Sequence, residues 1–166
     1  MTLHRPSNVD DDAALRALTE TLSRVAERLP VLFPVHPRTR DRLAKGGIAI
    51  PDRLRLTDPL PYLTFLGLMA KARCVLTDSG GIQEETTALG VPCLTLRENT
   101  ERPATITQGT NRLVGNDPAQ IEAGVAEILA GRWPTGSRPP FWDGKAAVRV
   151  VDVITAWWAE RRPAGA

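Results

Sequence analysis

"CVLTDSGGIQEETTALGVPCLTL", residues 74–96, decides the fold. An apolar run ending at Thr77 meets a turn signal, Asp78-Ser79-Gly80-Gly81. A helix-like stretch follows, closes at Gly90, and leads into a second apolar run, Pro92–Leu96. Two short apolar runs joined by a helix of this length form a parallel β-α-β unit, because a parallel pair needs a long crossover.

The same alternation extends outward on both sides. "TL" at residues 2–3 is the stub of a strand, "VLFPV" (31–35) and "RLRLT" (53–57) are strands, and "RLVG" (112–115) is a sixth. Leu15, Leu18, Leu22, Val25 and Leu29 recur at three- and four-residue steps, which predicts a helix over 11–29. Further helices are predicted over "RTRDRLAKG", over 61–72 with Pro61 in its first turn, over 118–131 behind an Asp117 cap, and over 145–161. Strands separated by helices in this way predict an α/β fold, a Rossmann-like doubly wound parallel sheet. The expected layout is a single domain, 1–166. Its core is 1–131, a proline-rich crossing spans 132–143, and a closing helix spans 144–162.

Bulk properties exclude several classes. At 166 residues the chain can bury one sizeable core. A formal charge of +2, spread evenly, gives no nucleic-acid footprint. No run of 18 apolar residues and no signal-peptide pattern is present, so the expectation is a cytoplasmic protein with no membrane partner. Cys74 and Cys93 lie in separate apolar runs and are expected as reduced core thiols. With only His4 and His36 available, no metal site is expected.

Open parallel sheets bind ligands at the carboxyl ends of their strands. The residues just past each strand are His4-Arg5, His36-Pro37, Thr57-Asp58, Asp78-Ser79-Gly80-Gly81 and Arg97-Glu98, a polar edge that includes both histidines. In Ser79-Gly80-Gly81 the missing Cβ atoms and the free helix-start amides suit an anion, while a tight turn capped by Ser79 or Asp78 explains the same residues. No G-x-G-x-x-G or Walker lysine pattern is present. Glu84 and Glu85 favour a helix dipole, or else one of them accepts from the two hydroxyls of a ribose. A nucleotide diphosphate satisfies both demands. Arg97 and Arg102 suit phosphate, or solvent and ion pairs. Phe65 is core, or a platform for a base.

Five ordered stretches carry a more specific signal: "TLHRPSNVD", "FPVHPRTR", "DPLPYLTFLGLMAKA", "LTDSGGIQEETTALGVPCLTLRENTERP" and "GTNRLVG". Together they resemble the C-terminal half of non-hydrolysing UDP-N-acetylglucosamine 2-epimerases from residue 2 to about 115, with a looser match through "FWDGKAAVRVVDVI". The resemblance implies one half of a two-domain, glycosyltransferase-B-like fold with the ligand in the cleft between halves. It implies that Ser79, Gly80 and Gly81 hold the diphosphate together with Arg102, and that Glu85 binds the ribose. Leu60 and Phe65 would bracket the uracil, and His4 would act beside the reacting sugar. Arg5 and His36 would face the cleft, where some bacterial members bind a second, activating UDP-GlcNAc. One departure is Ala104, where the family continues "ERPE".

The implied reaction interconverts UDP-GlcNAc and UDP-ManNAc by eliminating and re-adding UDP, with no cofactor. The resemblance places the catalytic carboxylates in an N-terminal domain that would precede "TLHR". The expectation is therefore a UDP-holding half whose partner is that domain, binding UDP weakly and inactive by itself, with a homodimer as a further arrangement open to it. Two alternatives stand beside this: the nucleotide-binding half of a sugar-nucleotide glycosyltransferase, and a non-catalytic UDP-sugar-binding module.

Overall fold

A computed structural model describes residues 1–161. From the amino terminus run α1 (Pro6–Val9), α2 (Asp12–Arg28), β1 (Val31–Pro34), α3 (Pro37–Lys45), β2 (Leu54–Thr57) and α4 (Tyr62–Ala70). There follow β3 (Val75–Thr77), α5 (Gly80–Leu89), β4 (Cys93–Thr95), α6 (Pro103–Thr107), β5 (Asn111–Leu113), α7 (Pro118–Leu129) and α8 (Ala146–Arg161). The closing helix thus begins at Ala146, and residue 162, its expected end, lies outside the described residues.

Every strand pair is parallel. β3 pairs with β4 in the register Val75↔Cys93 to Thr77↔Thr95, and β4 pairs with β5. β1 pairs with β2 from Val31↔Leu54 to Pro34↔Thr57. The β3-α5-β4 unit is the one read from residues 74–96, and Gly90 ends α5 in the left-handed conformation (φ 69°). Instead of one continuous sheet there are a two-stranded and a three-stranded sheet. The expected first strand is a single parallel bridge, Thr2↔Thr77. Its neighbours still tie the sheets together: Thr2 N donates to Leu76 O (3.0 Å), and Met1 N donates to Leu32 O. The opening residues therefore lie between β1 and β3 and bring His4 to the end of β3.

The core forms on one side, where α2 and α7 pack together over the strands. Leu15, Leu18, Leu22 and Val25 of α2 are buried with Phe33, Leu54 and Leu94 of the strands and Ile121 and Val125 of α7. Each such side chain contributes about 1.5–3 kcal/mol. α7 approaches so closely that a Cβ on Gly124 would stand 2.6 Å from Leu94 Cδ2. A smaller cluster on α4 and α5, around Met69, Val75 and Val91, holds Phe65 and Ile82. Both cysteines are free thiols, and burial pushes each up to about 11. Among the described residues, no helix is long and apolar enough to cross a membrane.

α8 departs from this pattern. None of its residues is buried, and Val150, Val153, Ile154, Trp157 and Trp158 all stand exposed.

Candidate functional site

Parallel pairing sets the carboxyl ends of the strands along one edge, with Asp78 just beyond β3 and His4 just beyond the Thr2 bridge. Asp78 is fully buried. Its carboxylate accepts from the backbone N–H groups of His4 (3.1 Å) and Arg5 (2.9 Å) and from Asn8 Nδ2 (3.0 Å). His4 Nδ1 lies 2.7 Å from Asp78 Oδ1. Four donors around one buried carboxylate compensate its desolvation. They also orient the imidazole: Nδ1 is held inward, while the side chain remains 55% exposed. His4 is thus a fixed group presented at the edge of the sheet.

Asp78 is consequently spent on His4, Arg5 and Asn8 and does not cap α5. Ser79 is the N-cap residue, yet its side chain makes no capping hydrogen bond. Its N–H is taken by Thr77 Oγ1 at 3.0 Å, which leaves the anion reading to the amides after it. Gly80 and Gly81 face open space, since a Cβ on either would meet nothing within 4 Å. Neither Ser79 nor Asp78 therefore supplies the expected cap of this turn. α5 is thus a ten-residue helix that starts without a side-chain cap and has open space beside both of its first two residues.

Charged groups flank that mouth. Arg102, the residue before α6, sets its Nε 3.0 Å from Glu84 Oε1. Glu85, the acid expected on a ribose, lies beside Tyr62 at the start of α4, where its negative charge raises the phenol pKa. Arg97 is not a free phosphate ligand: it donates to both oxygens of Glu101 (2.8 and 3.0 Å) and to Asn99. Those bonds from Arg97 hold the Glu101 carboxyl down at about 2. Arg5, four-tenths exposed, reaches to 4.0 Å from Glu101, and its buried Nε has no hydrogen-bond partner.

The structure therefore brings His4, Arg5, Ser79, Gly80, Gly81 and Arg102 around α5, with Glu85 on the α4 side. His36 stands at the next strand end, where its Nδ1 accepts from Arg38 N (3.3 Å) at the start of α3. Leu60 is half-buried just before α4. Phe65 packs with the Met69 cluster and lines an apolar hollow of about 310 Å³ with Leu32, Pro34, Leu68, Met69 and Leu76. None of the polar site residues lines that hollow. Sequence reading missed Asp78 as the anchor of His4, and Asn8 as its companion. The available signal was an aspartate directly past a strand end, opposite a histidine past another. Among the described residues, no group of three or more His, Cys, Asp or Glu gathers where a metal could be held.

The family model described as UDP-N-acetylglucosamine 2-epimerase matches residues 1–155. A UDP-N-acetylglucosamine 2-epimerase of Methanococcus maripaludis is 36% identical over 169 aligned residues, spanning 98% of this chain and 45% of that protein. A UDP-2,3-diacetamido-2,3-dideoxy-D-glucuronate 2-epimerase of Pseudomonas aeruginosa is 40% identical over 154, spanning 92% of this chain and 43% of that protein. The crystal structure of Methanocaldococcus jannaschii UDP-GlcNAc 2-epimerase in complex with UDP-GlcNAc and UDP superposes with a TM-score of 0.83 at 37% identity, over 93% of this chain and 44% of that one. The chain spans less than half the length of the curated relatives it matches.

Proposed function

The chain belongs to the UDP-N-acetylglucosamine 2-epimerase family, and from that membership we propose that it is the UDP-holding, C-terminal half of a two-domain cytoplasmic enzyme that interconverts UDP-GlcNAc and UDP-ManNAc. The observation that carries this reading is the uncapped glycine turn of α5, flanked by Arg102 and Glu85, beside a histidine clamped by a buried carboxylate. The diphosphate would take the amides of Gly80 and Gly81, with Arg102 exchanging Glu84 for a phosphate oxygen. Glu85 would accept from the ribose hydroxyls, and Leu60 and Phe65 would border the uracil. His4 would stand at the phosphates next to the sugar, with Arg5 behind it and His36 further along the cleft.

In an elimination and re-addition of UDP, the C2 proton leaves to a base, the C1–O bond breaks toward the diphosphate, and UDP returns to the glycal while C2 is reprotonated on the other face. This half supplies charge stabilisation of the departing UDP and keeps it in place between the two steps. The base at C2 belongs to the opposing domain in this reading. α8 supports such a partner: its apolar side chains lie uncovered at the end of a proline-rich crossing, and the relatives are more than twice as long. The diacetamido relative favours a second reading of the sugar, in which the same UDP grip serves a more oxidised substrate.

Calorimetric titration of UDP into the chain, its Glu85→Ala variant and its Arg102→Ala variant tests the site. Each variant is expected to bind about tenfold more weakly, the loss of one charge-assisted contact. Unchanged affinity in both overturns the site. The 166-residue chain is expected to leave UDP-GlcNAc unconverted, and formation of UDP-ManNAc by it would refute the division of labour.

A further inference from the structure

One buried cluster lies outside the contacts just described. Gln83, one turn into α5, is fully buried, and so is most of Asn111 at the start of β5. Gln83 Nε2 donates to Ser79 O (3.2 Å), while its Oε1 accepts from Thr100 Oγ1 (2.6 Å) and from Asn111 Nδ2 (3.2 Å). Asn111 Nδ2 also donates to Thr105 Oγ1 (3.1 Å), and Asn111 Oδ1 accepts from Thr95 Oγ1 (2.6 Å). Only one orientation of each amide satisfies these partners, because the carbonyl and the NH2 ends face opposite needs.

The two hydroxyls at the far end of this network hold the backbone of Arg102 from both sides. Arg102 N donates to Thr100 Oγ1 (3.0 Å), and Thr105 Oγ1 donates to Arg102 O (2.7 Å). Arg102 itself has φ −123° and ψ 59°, and Pro103 after it bars the helical region, so the two hydroxyls clasp a backbone already restricted by the chain. The other end of the network is the carbonyl of Ser79, at the glycine turn. We propose that the Gln83–Asn111 amide pair is a positioning device that fixes Arg102 relative to the glycine turn, so that guanidinium and open amides meet one diphosphate together. It rests on the UDP-holding reading above. In this role Gln83 acts through Thr100 and Arg102.

The test is UDP affinity of the full chain, measured by calorimetry, for Thr100→Val, Thr100→Ser, Gln83→Met, Arg102→Ala and Gln83→Met/Arg102→Ala. Thr100 is only half-buried, so its variants probe the link without opening the core. Thr100→Val and Gln83→Met are expected to weaken UDP about tenfold, and Thr100→Ser to stay within about twofold of the parent, because the hydroxyl is kept. In the Arg102→Ala background, Gln83→Met is expected to cost less than about a further twofold, since the group it positions is gone. A weakened Arg102→Ala beside an unaffected Thr100→Val overturns this proposal alone. So does a Gln83→Met loss of full size on top of Arg102→Ala. Parent-like affinity in Arg102→Ala also overturns this proposal, whose object is that guanidinium, whereas the site reading falls only if Glu85→Ala is parent-like as well.

Discussion

Asp78 shows how a single side chain sets the geometry of the site. Its carboxylate joins segments 70 to 74 positions apart in the chain, and every donor it accepts from sits within the first eight residues. Truncating it leaves the part-buried His4 and Arg5 amides and the buried Asn8 Nδ2 without this acceptor, so Asp78→Ala is expected to lower unfolding free energy by about 3 kcal/mol. His4→Ala, at a half-exposed side chain, is expected to cost less than about 1 kcal/mol. Urea unfolding at constant m-value compares the two, and equal losses would mean that Asp78 is not the anchor. This role was invisible in the sequence because it depends on the Thr2↔Thr77 register, which no local pattern reports. The glycines were legible as an anion site or a capped tight turn, and the absence of the cap depends on the direction in which Asp78 points. Arg97 was open between phosphate and an ion pair for a similar reason: its partner Glu101 is close in sequence, but only the folded loop pairs them.

At the level of elements, the apolar runs and the three- and four-residue steps located every strand and every long helix. α1 and α6 were missed, having four and five residues, too few for a period to register. Both begin with a proline in the first turn, which marks a start but not a continuation. α8 was legible as a helix, yet its packing was not. A 16-residue helix with no buried side chain, held by its intrinsic propensity and exposed contacts such as Arg149–Asp143, is marginal in water. α2 is of similar length and buries seven residues. Amide hydrogen exchange of the isolated chain is therefore expected to be at least about a hundredfold faster in α8 than in α2. Comparable protection in the two would show that α8 is covered, and would remove the support it gives to a docking partner.

For the whole molecule, the opening residues lie between two parallel sheets and place two strand ends side by side, the position where open α/β sheets bind ligands. Residue spacing reached only as far as a nucleotide diphosphate; the ordered motifs supplied the family, and family membership is borne out over residues 1–155. An apolar hollow of about 310 Å³ between α4 and the strands offers a competing place for a ligand. Lined mainly by apolar side chains such as Leu32, Met69 and Leu76, it also carries Lys71 and Arg73, but none of the polar residues around the glycine turn borders it. The two locations separate cleanly in an NMR titration of the isotopically labelled chain with UDP. Saturable shifts are expected at the amides of Gly80, Gly81, Glu85 and Arg102. The largest shifts falling instead on Leu32, Met69 and Leu76, or no saturable change at millimolar UDP, would contradict a UDP-holding turn.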